Sequence, residues 1–133
     1  MASTDPLADL LTALRNASSA SLDTARVPDS RYKQSVLKAL QSEGFIRSFR
    51  VSGEGTPKRT LEVHLAYGPK RESLLTGVRR MSTPGRRVYI QLADLKALVR
   101  RFEVPFLSTP QGVLSGPQAF ARSTGGELLC LVW

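Results

Sequence analysis

Residues 104–133 read VPFLSTPQGVLSGPQAFARSTGGELLCLVW, and this stretch decides the fold of the C-terminal half. Two short apolar runs, Val104–Leu107 and Val113–Leu114, are joined by Ser108, Thr109, Pro110, Gln111 and Gly112. Proline fixes φ within the connection and glycine allows a positive φ at its end, so the segment predicts a β-hairpin. Gly116-Pro117 suits a helix start with proline at the first position, and that short helix is expected to reach about Ser123. The final run, Glu127 to Trp133, is apolar on both faces from Leu128 onward, the pattern of a strand buried in a small sheet. The hairpin tip carries two hydroxyls and an amide but no base, thiol or carboxylate. Its chemistry is that of recognition.

Upstream of the hairpin, Leu92–Phe102 predicts a helix with Leu92, Leu95, Leu98, Val99 and Phe102 on one face. Ser73–Arg80 and Arg86–Gln91 read as strands around Thr83-Pro84-Gly85, a Pro-Gly pair suited to a type II turn. Arg79, Arg80, Arg86 and Arg87 flank that turn. Adjacent strand residues point to opposite faces, so only part of this set can share one surface. Tyr89 follows, by itself readable as a half-buried strand aromatic. Gly68-Pro69 marks the expected lobe boundary, giving lobes at 1–67 and 68–133.

The N-terminal half opens with a helix expected over residues 4–19, capped by Thr4 or Asp5, with Pro6 in its first turn. Leu7, Leu10, Leu11 and Leu14 form its apolar face; Arg15 and Asn16 lie beyond it. A short strand at Ala25–Val27 leads to a second helix, capped by Asp29 or Ser30, continuing through Glu43 and ended by Gly44. Tyr32, Val36, Leu37 and Leu40 are its expected buried stripe, with Arg31, Lys33 and Lys38 outside it and able to reach phosphates. Phe45–Val51 and Thr60–Tyr67 predict a hairpin. Leu61, Val63, Leu65 and Tyr67 turn inward, and Thr60, Glu62, His64 and Ala66 outward. The fold class is therefore α+β in two small lobes. The first is helix-strand-helix-strand-strand; the second is mostly β with two short helices.

Charge gives the first functional direction. The net charge is +8, and the segment from Lys70 to Arg101 holds nine Lys/Arg against Glu72 and Asp94 alone. A basic surplus concentrated in one half suggests a polyanion-facing side. Cys130 is the only cysteine, which excludes an intrachain disulfide and fits a small core residue in a reducing compartment. No apolar run approaches the roughly 18 residues a membrane span needs. MASTDPLADLL lacks a basic or Arg-rich leader pattern, so a soluble, non-secreted protein is expected. His64 is the only histidine, and there is no phosphate loop, dinucleotide glycine pattern, cysteine pair or nucleophile elbow. Neither catalysis, nor a metal, nor a cofactor is expected.

Four segments together resemble one known family. FLSTPQGVL followed by AFARSTGGELLCLVW is similar to the C-terminal signature of the small-ribosomal-subunit protein eight family, in which Ser-Thr-Ser-Lys-Gly precedes Gly-Gly-Glu and an apolar strand. DPLADLLTALRNA, SRYKQSVLKALQSEGFI and MSTPGRRVYIQ resemble its first helix, its second helix and its Pro-Gly turn, so the resemblance covers nearly the whole chain. It implies a structural constituent of the small ribosomal subunit that binds small-subunit ribosomal RNA and helps assemble it. Neighbouring small-subunit ribosomal proteins are the other expected partners, on a cytoplasmic or an organellar ribosome. Membrane contact is not expected. A free-standing RNA-binding translational regulator is the alternative.

The resemblance also implies roles for single residues. The hairpin residues Ser108, Thr109, Gln111 and Gly112, together with Glu127 and Tyr89, are expected to read RNA. Arg15 and Asn16 on the first helix are expected to face it, although alone they serve equally well as helix-terminal residues. Charge and position, not the resemblance, complete the set with Arg31, Lys33, Arg79, Arg86 and Arg87 as phosphate partners. Two positions depart from the family pattern. Pro110 stands where a serine is usual, removing a hydroxyl and an N–H, and Gln111 stands where a cation is usual.

Overall fold

A computed structural model of the chain describes residues 5–53 and 55–133. Thr4, one of the two expected caps of the first helix, lies outside the described residues. Two compact units divide at Thr76/Gly77. The division falls after Gly68-Pro69, where the sequence placed it, because the intervening residues return to the first unit. Tyr67 bridges to Ser73, and the Ser18 hydroxyl donates to the Leu75 carbonyl at 3.1 Å.

In the N-terminal unit the order is α1 (Pro6–Ser19), β1 (Thr24–Pro28), α2 (Arg31–Ser42), β2 (Ile46–Ser52) and β3 (Thr60–Leu65). The Asp5 carboxylate caps α1 by accepting from Ala8 N at 3.2 Å, and the Ser30 hydroxyl caps α2 by accepting from Lys33 N at 3.1 Å. The strands form an antiparallel sheet in the order β1-β3-β2. Its inner face carries Ala25, Val27, Leu61, Val63 and Leu65, buried with Leu7, Leu10, Leu11 and Leu14 of α1 and Val36, Leu37 and Leu40 of α2. Helix α2 stops as expected at Gly44, which takes φ +80° while Phe45 N reaches back to Leu40 O and Gly44 N to Gln41 O. The same paired C-terminal bonds end α1, but there the left-handed position is Ser21 at φ +57°.

Three expectations for this unit are corrected. Tyr32 is 37% exposed and not part of the buried stripe; the stripe rotates toward Ala39 instead. Lys33 is buried and not outside the stripe: its Nζ donates to Pro28 O at 3.1 Å, closing the β1–α2 corner. Glu62 lies on the outward face as predicted but is also buried, because Arg26 and Arg50 on the flanking strands close over it.

The C-terminal unit contains β4 (Val78–Arg80), β5 (Tyr89–Ile90), α3 (Leu92–Leu98), β6 (Val104–Thr109), β7 (Gly112–Ser115), α4 (Gly116–Ala121) and β8 (Gly126–Val132). The antiparallel sheet runs β4-β8-β6-β7, with β5 on the same edge of β8 as β4. Leu107, Leu114, Leu128 and Leu131 from the sheet, Leu95 from α3 and Ala119 from α4 make one core cluster. Ser115 and Gln118 form a reciprocal capping box at the start of α4.

Here too the sequence is corrected. Helix α3 ends at Leu98, four residues short of Phe102, because the buried Glu103 carboxylate accepts from Arg100 N at 2.9 Å and turns the chain. Leu98 and Phe102 are consequently exposed at 41% and 58%. The two strands around Pro84-Gly85 shrink to β4 and β5, and both pair with β8. Thr83 and Arg86 still exchange two backbone hydrogen bonds, yet Gly85 has no positive φ, so the turn is not type II.

Candidate nucleic-acid interface

The hairpin is tighter than the sequence suggested. β6 extends through Thr109 and β7 begins at Gly112, so the loop is Pro110-Gln111 alone, with Gly112 at φ +105°. Pro110 occupies a corner where no ladder N–H is required. The Thr109 hydroxyl donates to Gly112 O at 2.8 Å and accepts from Gln111 N at 3.1 Å. It is consumed in shaping the turn. Ser108, one residue earlier, is half-buried in the strand, and among the described residues its hydroxyl makes no hydrogen bond.

Ladder register then assembles the rest of the site. Ser108 pairs with Glu127 of β8, and Glu127 pairs with Tyr89 of β5. Directly opposed residues of an antiparallel sheet share a face. Ser108, Glu127 and Tyr89 therefore form one row, on the side opposite Leu107 and Leu128. Arg87 joins the row with its Nη1 3.2 Å from Glu127 Oε2; the Arg87 side chain is 52% exposed and that of Glu127 16%. Tyr89 is the most open large hydrophobic residue of the chain among those described, 73% exposed.

Two devices invisible in the sequence hold this row in place. The buried Ser82 hydroxyl accepts from Val88 N at 2.8 Å, tying down the segment that presents Arg86, Arg87 and Tyr89. A Cβ on Gly126 would sit 2.2 Å from Ser108 O, and one on Gly125 would sit 2.8 Å from Ile90 O. The glycine pair is thus a close-approach device between strands, which brings β6 and β5 up against β8.

The remaining expected residues separate. Arg86 is exposed at the turn. Arg79 is committed to the buried Glu103, Nη2 to Oε2 at 3.5 Å. Arg80 donates through Nε to Ser82 O at 3.1 Å. Arg15, Asn16 and Arg31 are exposed on the N-terminal unit, and Lys33 is buried there. Sequence reasoning passed over Arg26 and Arg50, whose only signal was their ladder register with Glu62. Among the described residues no group of three or more His, Cys, Asp or Glu is arranged to hold a metal ion, and no helix is long and apolar enough to cross a membrane.

Comparison with known proteins agrees with the motifs quoted above. The sequence model of the family described as ribosomal protein S8 matches residues 5–133. A protein of Thermus aquaticus named small ribosomal subunit protein uS8 is 43% identical, over 98% of this chain and 99% of its own length. Proteins of the same name from Nocardia farcinica and Roseiflexus castenholzii are 44% and 41% identical, each over the full length of both chains. With the matched segments running from the first helix to the last strand, the chain belongs to the ribosomal protein S8 family.

Proposed function

We propose that this protein is a structural constituent of the small ribosomal subunit that binds small-subunit ribosomal RNA directly and helps it fold, without catalysing a reaction. The observation that carries this reading is the single row of Ser108, Glu127, Arg87 and Tyr89 beside the tight hairpin. A-form RNA exposes 2′-hydroxyls and base edges in a shallow minor groove that a narrow hairpin can enter. The Ser108 hydroxyl can donate or accept there, Glu127 can accept from a 2′-hydroxyl, and the open Tyr89 ring can stack on an unpaired base. Arg87 offsets the repulsion between Glu127 and phosphate. Gln111 and Gly112 offer an amide and backbone groups at the tip, while Arg86 adds salt-sensitive affinity. In the N-terminal unit, Arg15, Asn16 and Arg31 are exposed and keep their proposed roles as RNA contacts; Lys33 acts by bracing a corner. The protein's proposed place is the ribosome of the cytoplasm, among neighbouring small-subunit proteins.

The test is binding of the purified protein to small-subunit ribosomal RNA and to an unrelated duplex across a salt series. A preference for the ribosomal RNA that persists at moderate salt supports shape-specific recognition. Equal affinities that collapse together would remove the case for a reading site.

A further inference from the structure

The outer face of the N-terminal sheet has an arrangement that the C-terminal site does not use. Register places Arg26 of β1, Glu62 of β3 and Arg50 of β2 side by side in one row. Arg26 Nη2 lies 3.4 Å from Glu62 Oε2, Arg50 Nη2 lies 3.2 Å from Oε1, and His64 Nε2 lies 3.2 Å from Oε1. The carboxylate is buried, while the two arginine side chains remain 71% and 69% exposed. One anion therefore orients two guanidiniums whose remaining N–H donors face solvent, and the row keeps a positive surplus. At the His64 end of the sheet lies a cleft of about 920 Å³, lined also by Arg47, Tyr67 and Arg71 and by Gln41 and Gly44 at the end of α2. Arg71 is held there by Asp23 at 2.7 Å and lies 4.3 Å above the Tyr67 ring.

We propose that this face and cleft form a second RNA-binding surface, a track for a phosphodiester backbone on the N-terminal lobe. The oriented arginines match phosphate geometry, where a guanidinium presents paired N–H donors. The rest of the face distinguishes RNA from a protein partner. Thr24, Ser48, Ser52 and Thr60 share it with Pro28, and no large apolar side chain is among them. A protein interface relies on a desolvated apolar or aromatic centre, which the sheet face lacks, whereas hydroxyls and guanidiniums suit phosphates and 2′-hydroxyls.

This inference rests on the reading that the chain binds RNA, but on residues of the other unit. Its test uses the full chain and small-subunit ribosomal RNA. Removing the arginines alone would strand a buried carboxylate, so the informative variant is the triple substitution Arg26→Gln, Arg50→Gln, Glu62→Gln, which neutralises the whole network at once. A thermal melt establishes that it folds. The expected result is affinity lower on the order of tenfold at low salt, through lost charged hydrogen bonds. The salt slope should fall by about two phosphate contacts. Ser108→Ala should leave the slope unchanged, which separates the two sites. If the wild type binds RNA and the folded triple variant matches its affinity and slope, the track is refuted and the C-terminal reading stands. If the wild type binds no ribosomal RNA, both fail together.

Discussion

Glu127 stands directly opposite Ser108 in the β6–β8 ladder, its carboxylate held 3.2 Å from Arg87. The strand pairing, not the hairpin tip, is what brings the serine of one segment to the acid of another. It also separates the roles of the two adjacent hydroxyls, since Ser108 points into this row while Thr109 is bonded into the turn.

Ser108→Ala and Thr109→Ala should therefore behave differently. Ser108→Ala removes no intramolecular bond seen among the described residues, so the thermal midpoint should barely move. Affinity for ribosomal RNA should fall by about 1–3 kcal/mol, the cost of leaving a buried partner unsatisfied. Thr109→Ala loses the bonds to Gly112 and Gln111 and should destabilise by about 0.5–1.5 kcal/mol. Urea titrations and RNA-binding isotherms of the two variants check this. Equal effects on both measurements would contradict the assignment.

Gly126→Ala should be among the most damaging single-methyl additions in the C-terminal unit. The new Cβ would meet a backbone oxygen at 2.2 Å, which no rotamer change can relieve. An overpacking loss of at least 1–3 kcal/mol is expected. Gly112→Ala meets open space and suffers only from φ +105°, a cost of about 1–2 kcal/mol. Denaturant midpoints should place Gly126→Ala below Gly112→Ala, and both below the wild type.

The helices and the hairpin were legible because their signals are local. Leucine spacing in α1, Ser30 before α2 and Gly-Pro at the start of α4 each act within one or two turns. The two left-handed serines, Ser21 and Ser123, were not legible, since each takes through local helix-end hydrogen bonds the position that glycine ordinarily marks. The end of α3 was not legible either: the apolar period continues to Phe102, but the buried Glu103 carboxylate, accepting from Arg100 N, turns the chain first. In the site, residue types at Ser108, Tyr89 and Glu127 were readable from motif resemblance. Their alignment in one row depends on a register that includes a shift between Phe106 and Leu107, and no sequence pattern displays that. Lys33 illustrates the converse, a charged residue that periodicity placed outside the buried stripe while its amine is drawn in to the Pro28 carbonyl at the β1–α2 corner.

Glu62 should contribute to acid sensitivity. The hydrogen bond from Arg50 holds its carboxyl below the ordinary value of 4.5; burial opposes this, and the charges of Arg50, Arg26 and His64 reinforce it. A depressed carboxyl in the folded state means that the unfolded chain takes up its proton first as pH falls. The stabilisation is thus fully present above 4.5 and is lost as pH drops through the lower folded value. Urea midpoints from about pH 6 down to about pH 2 should fall along a shallower acid limb in Glu62→Gln than in the wild type. Identical limbs would show that the pairing does not shift this group.

Cys130 should report the opening of the C-terminal sheet. It lies in β8 between Arg80 of β4 and Phe106 of β6, 1% exposed, and burial pushes its thiol up to about 12. Only the thiolate attacks disulfide or alkylating reagents, and in the folded state burial both disfavours the thiolate and shields the sulfur from reagent. Access itself requires the packing over the Cys130 side chain to open. Labelling with a chromogenic disulfide reagent should be negligible in native buffer. It should accelerate with urea in step with the unfolding transition, and Gly126→Ala should label faster than the wild type at every urea concentration below the midpoint. Rapid labelling of the folded wild type would mean that the packing over Cys130 opens locally, well short of global unfolding.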